Sequence, residues 1–211
     1  MKDQDTNNYY DKNSNRFIEG TVGADMSEHY EKFLSYIPEG GTIVDAGCGS
    51  GRDVKNFRNL GFNVIAFDYS IKMVELASAY AGIDVMHCDF LDFKILEKVH
   101  GIWACASLLH VDEKKQREVL EKYRGYLLED GVFFMSFKYG EESYEKSGRY
   151  FYCHTLESLK NMILEIGGYE IRNLYTTEDV REDRKNEMWC SAIIGLKSED
   201  VNKNQERFSL I

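Results

Sequence analysis

The chain has 211 residues, 36 acidic against 26 basic side chains and a formal net charge of −10. That balance disfavours a broad electrostatic grip on a nucleic-acid backbone, and no run approaches the ~18 consecutive apolar residues of a membrane span. The hydrophobic share of 43% can fill one core without staples, and five cysteines, an odd number with no CxxC pair, predict reduced thiols in a cytosolic protein.

Residues 1–24 form a polar leader, rich in Asn, Asp and Lys, in which Tyr9, Tyr10 and Phe17 stand out as aromatics able to close over a site; a loose tail is the other reading. Met26, Tyr30, Phe33, Leu34 and Ile37 recur at helical spacing and predict a helix over Asp25 to Ile37, with Asp25 and Glu28 set like a capping box. Thr42 to Val44 reads as a short buried strand ending at Asp45, and Asp53 to Leu60 as a helix closed by Gly61. Strand Phe62 to Phe67, a helix from the Ser70 cap to Tyr80, and strands Ile83 to His87 and Gly101 to Ala106 follow. A helix over Asp112 to Leu128 leads through the Asp130-Gly131 turn into strand Val132 to Phe137. Lys138 to His154 reads as a Gly-, Ser- and aromatic-rich loop from which Tyr139, Tyr152 and His154 could line a pocket. A helix from Thr155 to Ile166 and strands Tyr169 to Tyr175 and Met188 to Leu196 complete a domain over 25–198, followed by a polar tail, 199–211. Such alternation predicts an α/β fold with a mostly parallel sheet and helices on both faces.

In such sheets ligands bind beyond the carboxyl ends of the strands, where the strand order reverses. The stretch TIVDAGCGSGRD, Thr42 to Asp53, puts three glycines between the first strand and the next helix, where the backbone can touch a ligand and free N–H groups face it. The spacing Gly47-x-Gly49-x-Gly51 is not the dinucleotide G-x-G-x-x-G, and the preceding Asp45 suits a ligand with a nearby positive charge better than a pyrophosphate. Asp68, ending the second strand beside Tyr69, can accept both hydroxyls of a ribose. Asp89 can accept from an exocyclic amine while the Phe90 N–H meets a ring nitrogen. Together these describe an adenosine with a cationic extension.

The stretches DAGCGSGRD, FDYS, CDF and IWACASLLHV resemble the successive cofactor motifs of the class I S-adenosylmethionine-dependent methyltransferases, over about Tyr30 to Lys197. A YDKN start and a SFKYGE segment add a narrower resemblance to small bacterial methyltransferase-domain proteins. The resemblance implies a Rossmann-like three-layer sandwich, a seven-stranded sheet with its last strand antiparallel. It also implies S-adenosylmethionine as cofactor and S-adenosylhomocysteine as product. Asp45 and the Gly47, Cys48, Gly49 and Gly51 loop would face the methionine part, with Arg52 reaching its carboxylate. Asp68 would hold ribose, with Tyr69 over adenine; Asp89 and Phe90 would hold adenine, and Ala104 and Cys105 would border the methyl.

Because a sulfonium methyl is already activated, few catalytic groups are expected. His110 is the candidate base, a packed or capping histidine being its other reading, and Tyr139 is a second candidate. The absence of an Asn/Asp-Pro-Pro-aromatic motif in ACASLLHV argues against nucleobase-amine methylation, and acidic charge favours a small-molecule acceptor over RNA. A non-catalytic protein binding S-adenosylmethionine or S-adenosylhomocysteine and a nicotinamide-dependent oxidoreductase are the rival readings, and the intact glycine loop with Asp45 before it weighs against both.

Overall fold

The computed structural model describes residues 2–198; the expected tail over 199–211 lies outside them. The polar leader is helical. α1, Lys2–Glu19, kinks at Asn13, where φ is −116°. Little in its composition drives helix formation, and it is held by tertiary contacts described below. α2, Ser27–Leu34, is shorter than expected: Asp25 Oδ1 accepts from both the N–H (2.9 Å) and the hydroxyl (2.6 Å) of Ser27, an Asx turn instead of a capping box. Pro38, three residues beyond Ser35, prevents continuation.

β1, Thr42–Ala46, then runs through the glycine loop into α3, Arg52–Asn59, and β2, Asn63–Asp68, leads to α4, Ile71–Ala81. Ser70 caps α4 by accepting from the Met73 N–H at 3.2 Å. β3 is only Met86–His87, because it is an edge strand whose register reaches just Phe67 and Asp68. β4 is Val99–Ala104, and α5, Glu113–Arg124, is capped by Asp112. The expected helical Leu127 and Leu128 belong instead to β5, Leu127–Lys138, because Val99 pairs with the buried Leu127 before an irregularity re-registers the strands at Gly101 and Val132.

The segment expected to be a loop carries a hairpin, β6, Tyr144–Lys146, and β7, Arg149–Phe151. It turns on Ser147 and Gly148, both at positive φ, the backbone twist that two-residue hairpins favour. α6, Leu156–Ile166, starts with a true capping box between Thr155 and Ser158, and β8, Tyr169–Glu178, and β9, Met188–Leu196, finish the fold.

The main sheet has the order β3-β2-β1-β4-β5-β9-β8, with β9 antiparallel to both neighbours and the other six strands parallel. This is the expected seven-stranded, three-layer arrangement. On one face Ile102, Phe133 and Ile194 pack under α5 and α6; on the other, Trp103 and Phe134 stack at 3.9 Å beneath Phe33 and Phe57 of α2 and α3. The chain moves outward from β1 to β3, then returns to β4 on the opposite side of β1. The reversal opens a crevice at the carboxyl ends of β1 and β4.

Candidate functional site

The glycine loop crosses that crevice. Gly47 sits at φ +73°, and a Cβ there would lie 2.6 Å from the Ser107 Cβ, so only glycine fits both the backbone and the space. The N–H groups of Gly47 and Cys48 both donate to the Phe67 carbonyl at 3.0 Å, which ties the loop to β2. Asp68 clamps the next turn: its carboxylate accepts from the Gly49 N–H at 2.8 Å and from the Ser70 N–H at 2.9 Å. Burial raises its pKa, and those two bonds oppose the rise.

One cavity collects most of the expected residues: Cys48, Asp68, Tyr69, Asp89, Phe90 and Cys105 line it with Gly47, Gly49 and Arg52. Asp89 uses one oxygen to accept from the Asp92 N–H at 2.7 Å, and the Phe90 ring packs edge-on to Phe67. Tyr69 is partly exposed beside His87. Three expected residues stand behind the wall. Gly51 packs against Ala77, Ala104 is core because the strand still runs inside the sheet there, and Asp45 is only 2% exposed beneath the loop. The Asp45 Oδ2 is buried with no hydrogen-bond partner among the described residues, and burial together with the Asp53 carboxylate pushes its pKa well up. Cys105, one residue past β4, does reach the cavity, its thiol pushed up by burial to about 12.

Arg52 is not a free guanidinium. It grips Asp53 with Nε at 2.6 Å and Nη2 at 2.9 Å, and Asp53 also accepts from Trp103 Nε1 at 2.8 Å and from the Tyr30 hydroxyl. Burial pushes the Asp53 pKa up, but Arg52 and these donors hold it below the usual carboxylate value. Sequence reasoning missed this hub, although an Arg-Asp pair opening a helix after the glycines was in plain view.

His110 lies on a 3₁₀ turn, Leu108–His110, and lines the cavity. Its Nδ1 is 2.7 Å from the Tyr150 carbonyl, which can only accept, so Nδ1 carries the proton and Nε2 accepts from the Tyr10 hydroxyl at 2.8 Å. Burial depresses its pKa to about 4. The other candidate of that region departs from expectation. Tyr139 is 46% exposed and is not among the cavity residues, because its backbone is bridged to Met188 and His154 at the sheet's end. Likewise Tyr152 donates to Asp112, and His154 is packed between Ser158 and Gln116.

α1 roofs the cavity. Phe17 lies against Gly49, with its Cε1 3.3 Å from where a Cβ would stand, and Asp11 accepts from the Ser70 hydroxyl at 2.6 Å. Opposite the glycine loop is a polar wall that sequence reasoning did not find. Ser136 and Ser191 face each other across β5 and β9, and the Ser191 and Thr177 hydroxyl oxygens are buried with no hydrogen-bond partner among the described residues. His29 meets the Tyr175 hydroxyl at 2.9 Å. Lys138 is buried against Asp179 (3.2 Å) and Glu187 and over the Trp189 ring, and Arg181 takes Asp179 at 2.6 Å. These residues come from α2, β5, β8 and β9 and share no local motif.

Residues 43–131 match the family model of the methyltransferase domain. That stretch runs from β1 into β5, within a sheet that has the order of the Rossmann-like methyltransferase fold. A search of curated proteins finds no match. The chain is similar in fold to the 1,6-didemethyltoxoflavin N1-methyltransferase of Burkholderia thailandensis, solved with 1,6-didemethyltoxoflavin and S-adenosylhomocysteine bound (TM-score 0.76, 16% identity, 93% of this chain and 87% of that one). It is also similar to a TehB-like S-adenosylmethionine-dependent methyltransferase of Corynebacterium glutamicum (TM-score 0.68, 18% identity, 90% and 100%). A third similar structure is the [4+2]-cyclase SpnF (TM-score 0.68, 13% identity, 90% and 94%), so the fold of this domain does not by itself dictate methyl transfer. Among the described residues no helix is long and apolar enough to cross a membrane, and no cluster of His, Cys, Asp and Glu has the geometry of a metal site.

Proposed function

We propose that the protein binds S-adenosylmethionine in this cavity and transfers its methyl group to a small-molecule acceptor. The observation that carries the reading is the trio of acids at the ends of β1, β2 and β3, with the glycine loop between them and the orphaned Asp45 Oδ2 below it. A buried carboxylate oxygen without a donor is costly, and a cationic or ammonium-bearing ligand over the loop relieves it.

In this reading Asp45 and the Gly47 to Gly51 loop bind the methionine portion, Asp68 the ribose hydroxyls, and Asp89 with the Phe90 N–H the adenine edge. Asp68 suits its part because Gly49 and Ser70 fix its carboxylate before any ligand arrives. Arg52, engaged by Asp53, stiffens the loop where it lines the cavity. Bound there, the cofactor supplies an activated methyl: the acceptor's lone pair bonds to the methyl carbon as the carbon–sulfur bond breaks toward sulfur, leaving S-adenosylhomocysteine and, from a hydroxyl or amine, a proton.

The residues around the far wall orient the acceptor and exclude water. Ser191 and Thr177 offer unpaired hydroxyls, and Cys105 and Ser136 separate them from the glycine loop. His110 is a weak base with a pKa near 4 and Nε2 already accepting from Tyr10, so it acts chiefly by holding α1 over the cavity. The B. thailandensis enzyme, solved with 1,6-didemethyltoxoflavin bound, supports the small-molecule choice, as does the net charge of −10.

Calorimetric titration with S-adenosylmethionine, S-adenosylhomocysteine and NAD tests the reading. The first two should bind in the micromolar range and NAD should not; NAD binding, or none of the three, would sink it. A non-catalytic binder has the similarity to a cyclase in its favour. It predicts cofactor binding with no S-adenosylhomocysteine formed in any acceptor mixture.

A further inference from the structure

Arg149, the first residue of β7, lines the cavity beneath α1 and differs from the other cations there. Arg52 has Asp53, Lys138 and Arg181 share Asp179, Arg184 lies 3.8 Å from Asp183, and Lys115 is also engaged. Arg149 makes no ion pair with any described residue. Its guanidinium carbon instead sits 4.0 Å from the Tyr9 ring centroid, 5.1 Å from that of Phe151 and 5.8 Å from that of Tyr10.

Aromatic rings occupy the flat faces of a guanidinium and leave its edge, where the N–H donors lie in the plane. On that edge the Arg149 Nε is buried with no acceptor among the described residues. A buried charged donor left without a bond is costly, and the edge formed by Nε and a terminal nitrogen is the one that takes two oxygens of a carboxylate or phosphate at once. The charge distribution sharpens the point. In a chain of net charge −10, Asp68 and Asp89 line the glycine-loop side of the cavity, while the hairpin wall holds a cation that no carboxylate among the described residues neutralises.

We propose that Arg149 is a specificity residue that binds an oxyanion, carboxylate or phosphate, on the methyl acceptor. The proposal rests on the methyl-transfer reading above. The acceptor is thus a small acid whose anionic group lies on the β6–β7 hairpin while its nucleophilic atom points toward the end of β4. Tyr9 and Tyr10 flank the guanidinium from α1, their ring centroids 4.0 and 5.8 Å away, so the segment that roofs the cavity also positions the anion-binding edge.

The test offers a bacterial metabolite extract, separated by anion exchange near neutral pH, to the full chain with methyl-labelled S-adenosylmethionine. Arg149→Gln and Arg149→Lys are run beside it, with thermal unfolding to confirm that each variant is folded. Label should pass to a compound in the retained fraction. For that compound Arg149→Gln should raise KM about tenfold or more with kcat largely unchanged, Arg149→Lys should recover part of the loss, and S-adenosylhomocysteine affinity should be equal in all three. Phosphatase treatment of the fraction abolishes labelling if the anion is a phosphate and leaves it if it is a carboxylate. Labelling confined to the unretained fraction, or an unchanged KM in Arg149→Gln, overturns the proposal. So does weakened S-adenosylhomocysteine binding in Arg149→Gln, which would move the guanidinium to the cofactor. Cofactor binding with no labelled product in any fraction defeats the methyl-transfer reading instead, and the acceptor assignment falls with it.

Discussion

Asp68 shows how one side chain can serve the loop and the ligand together. Its two oxygens already receive the Gly49 and Ser70 N–H groups, so Asp68→Ala should weaken S-adenosylhomocysteine by about tenfold or more and also lower stability, since two backbone donors lose a charged acceptor worth roughly 1.5–3 kcal/mol each. Titration calorimetry and urea unfolding of the same variant check both parts; unchanged affinity in a folded protein would remove Asp68 from the cofactor site. His110 gives a pH prediction. Its folded pKa, near 4, lies below the ordinary 6.5, so the unfolded chain takes up the proton first as pH falls. The stability it contributes is complete above about pH 6.5, declines as pH falls toward 4, and changes no further below that. His110→Gln, which keeps a polar side chain, should flatten Tm against pH in this window, whereas an equally steep decline would place the acid sensitivity elsewhere, in His29 or His154, whose pKa values burial also lowers.

At the level of elements, α1 and the β6–β7 hairpin make the site a cavity in place of an open crevice. Phe17 covers Gly49, Asp11 reaches Ser70, and Tyr10 ties the helix to His110. Phe17 lies over the glycine loop, so Phe17→Ala should speed S-adenosylhomocysteine dissociation several-fold with little change in Tm, because the ring packs on the loop and not in the main core. Stopped-flow displacement measures this directly; an unaltered off-rate would mean that α1 stays clear of the cofactor path. The leader was legible only in part: Tyr9, Tyr10 and Phe17 stood out as aromatics able to close over a site, but its helix depends on contacts to the glycine loop and hairpin, which are distant in sequence. The hairpin strands are three residues each, too short for an alternation to register, though Ser147-Gly148 between aromatic-rich flanks was the available clue. β5 misled for a related reason: Leu127 and Leu128 continue the apolar spacing of α5, and only pairing with Val99 assigns them to the sheet.

Across the whole molecule, charge and topology act together. With a net charge of −10, a mobility-shift titration with transfer RNA at low salt should show no complex; a salt-sensitive complex would favour an RNA acceptor over a small molecule. By itself the sequence determined the alternating fold, the place of the glycine loop and the acids Asp45, Asp68 and Asp89, because these are set by local chemistry: strand-end carboxylates, glycine backbones and helix caps adjacent along the chain. Only the tertiary structure decided that Arg52 is engaged by Asp53, that Tyr139 is turned away, and that His29, Ser191, Thr177 and Arg149 face the same cavity. Those residues come from elements up to 162 positions apart, and their meeting depends on strand order and register, for which no short stretch of sequence carries the information.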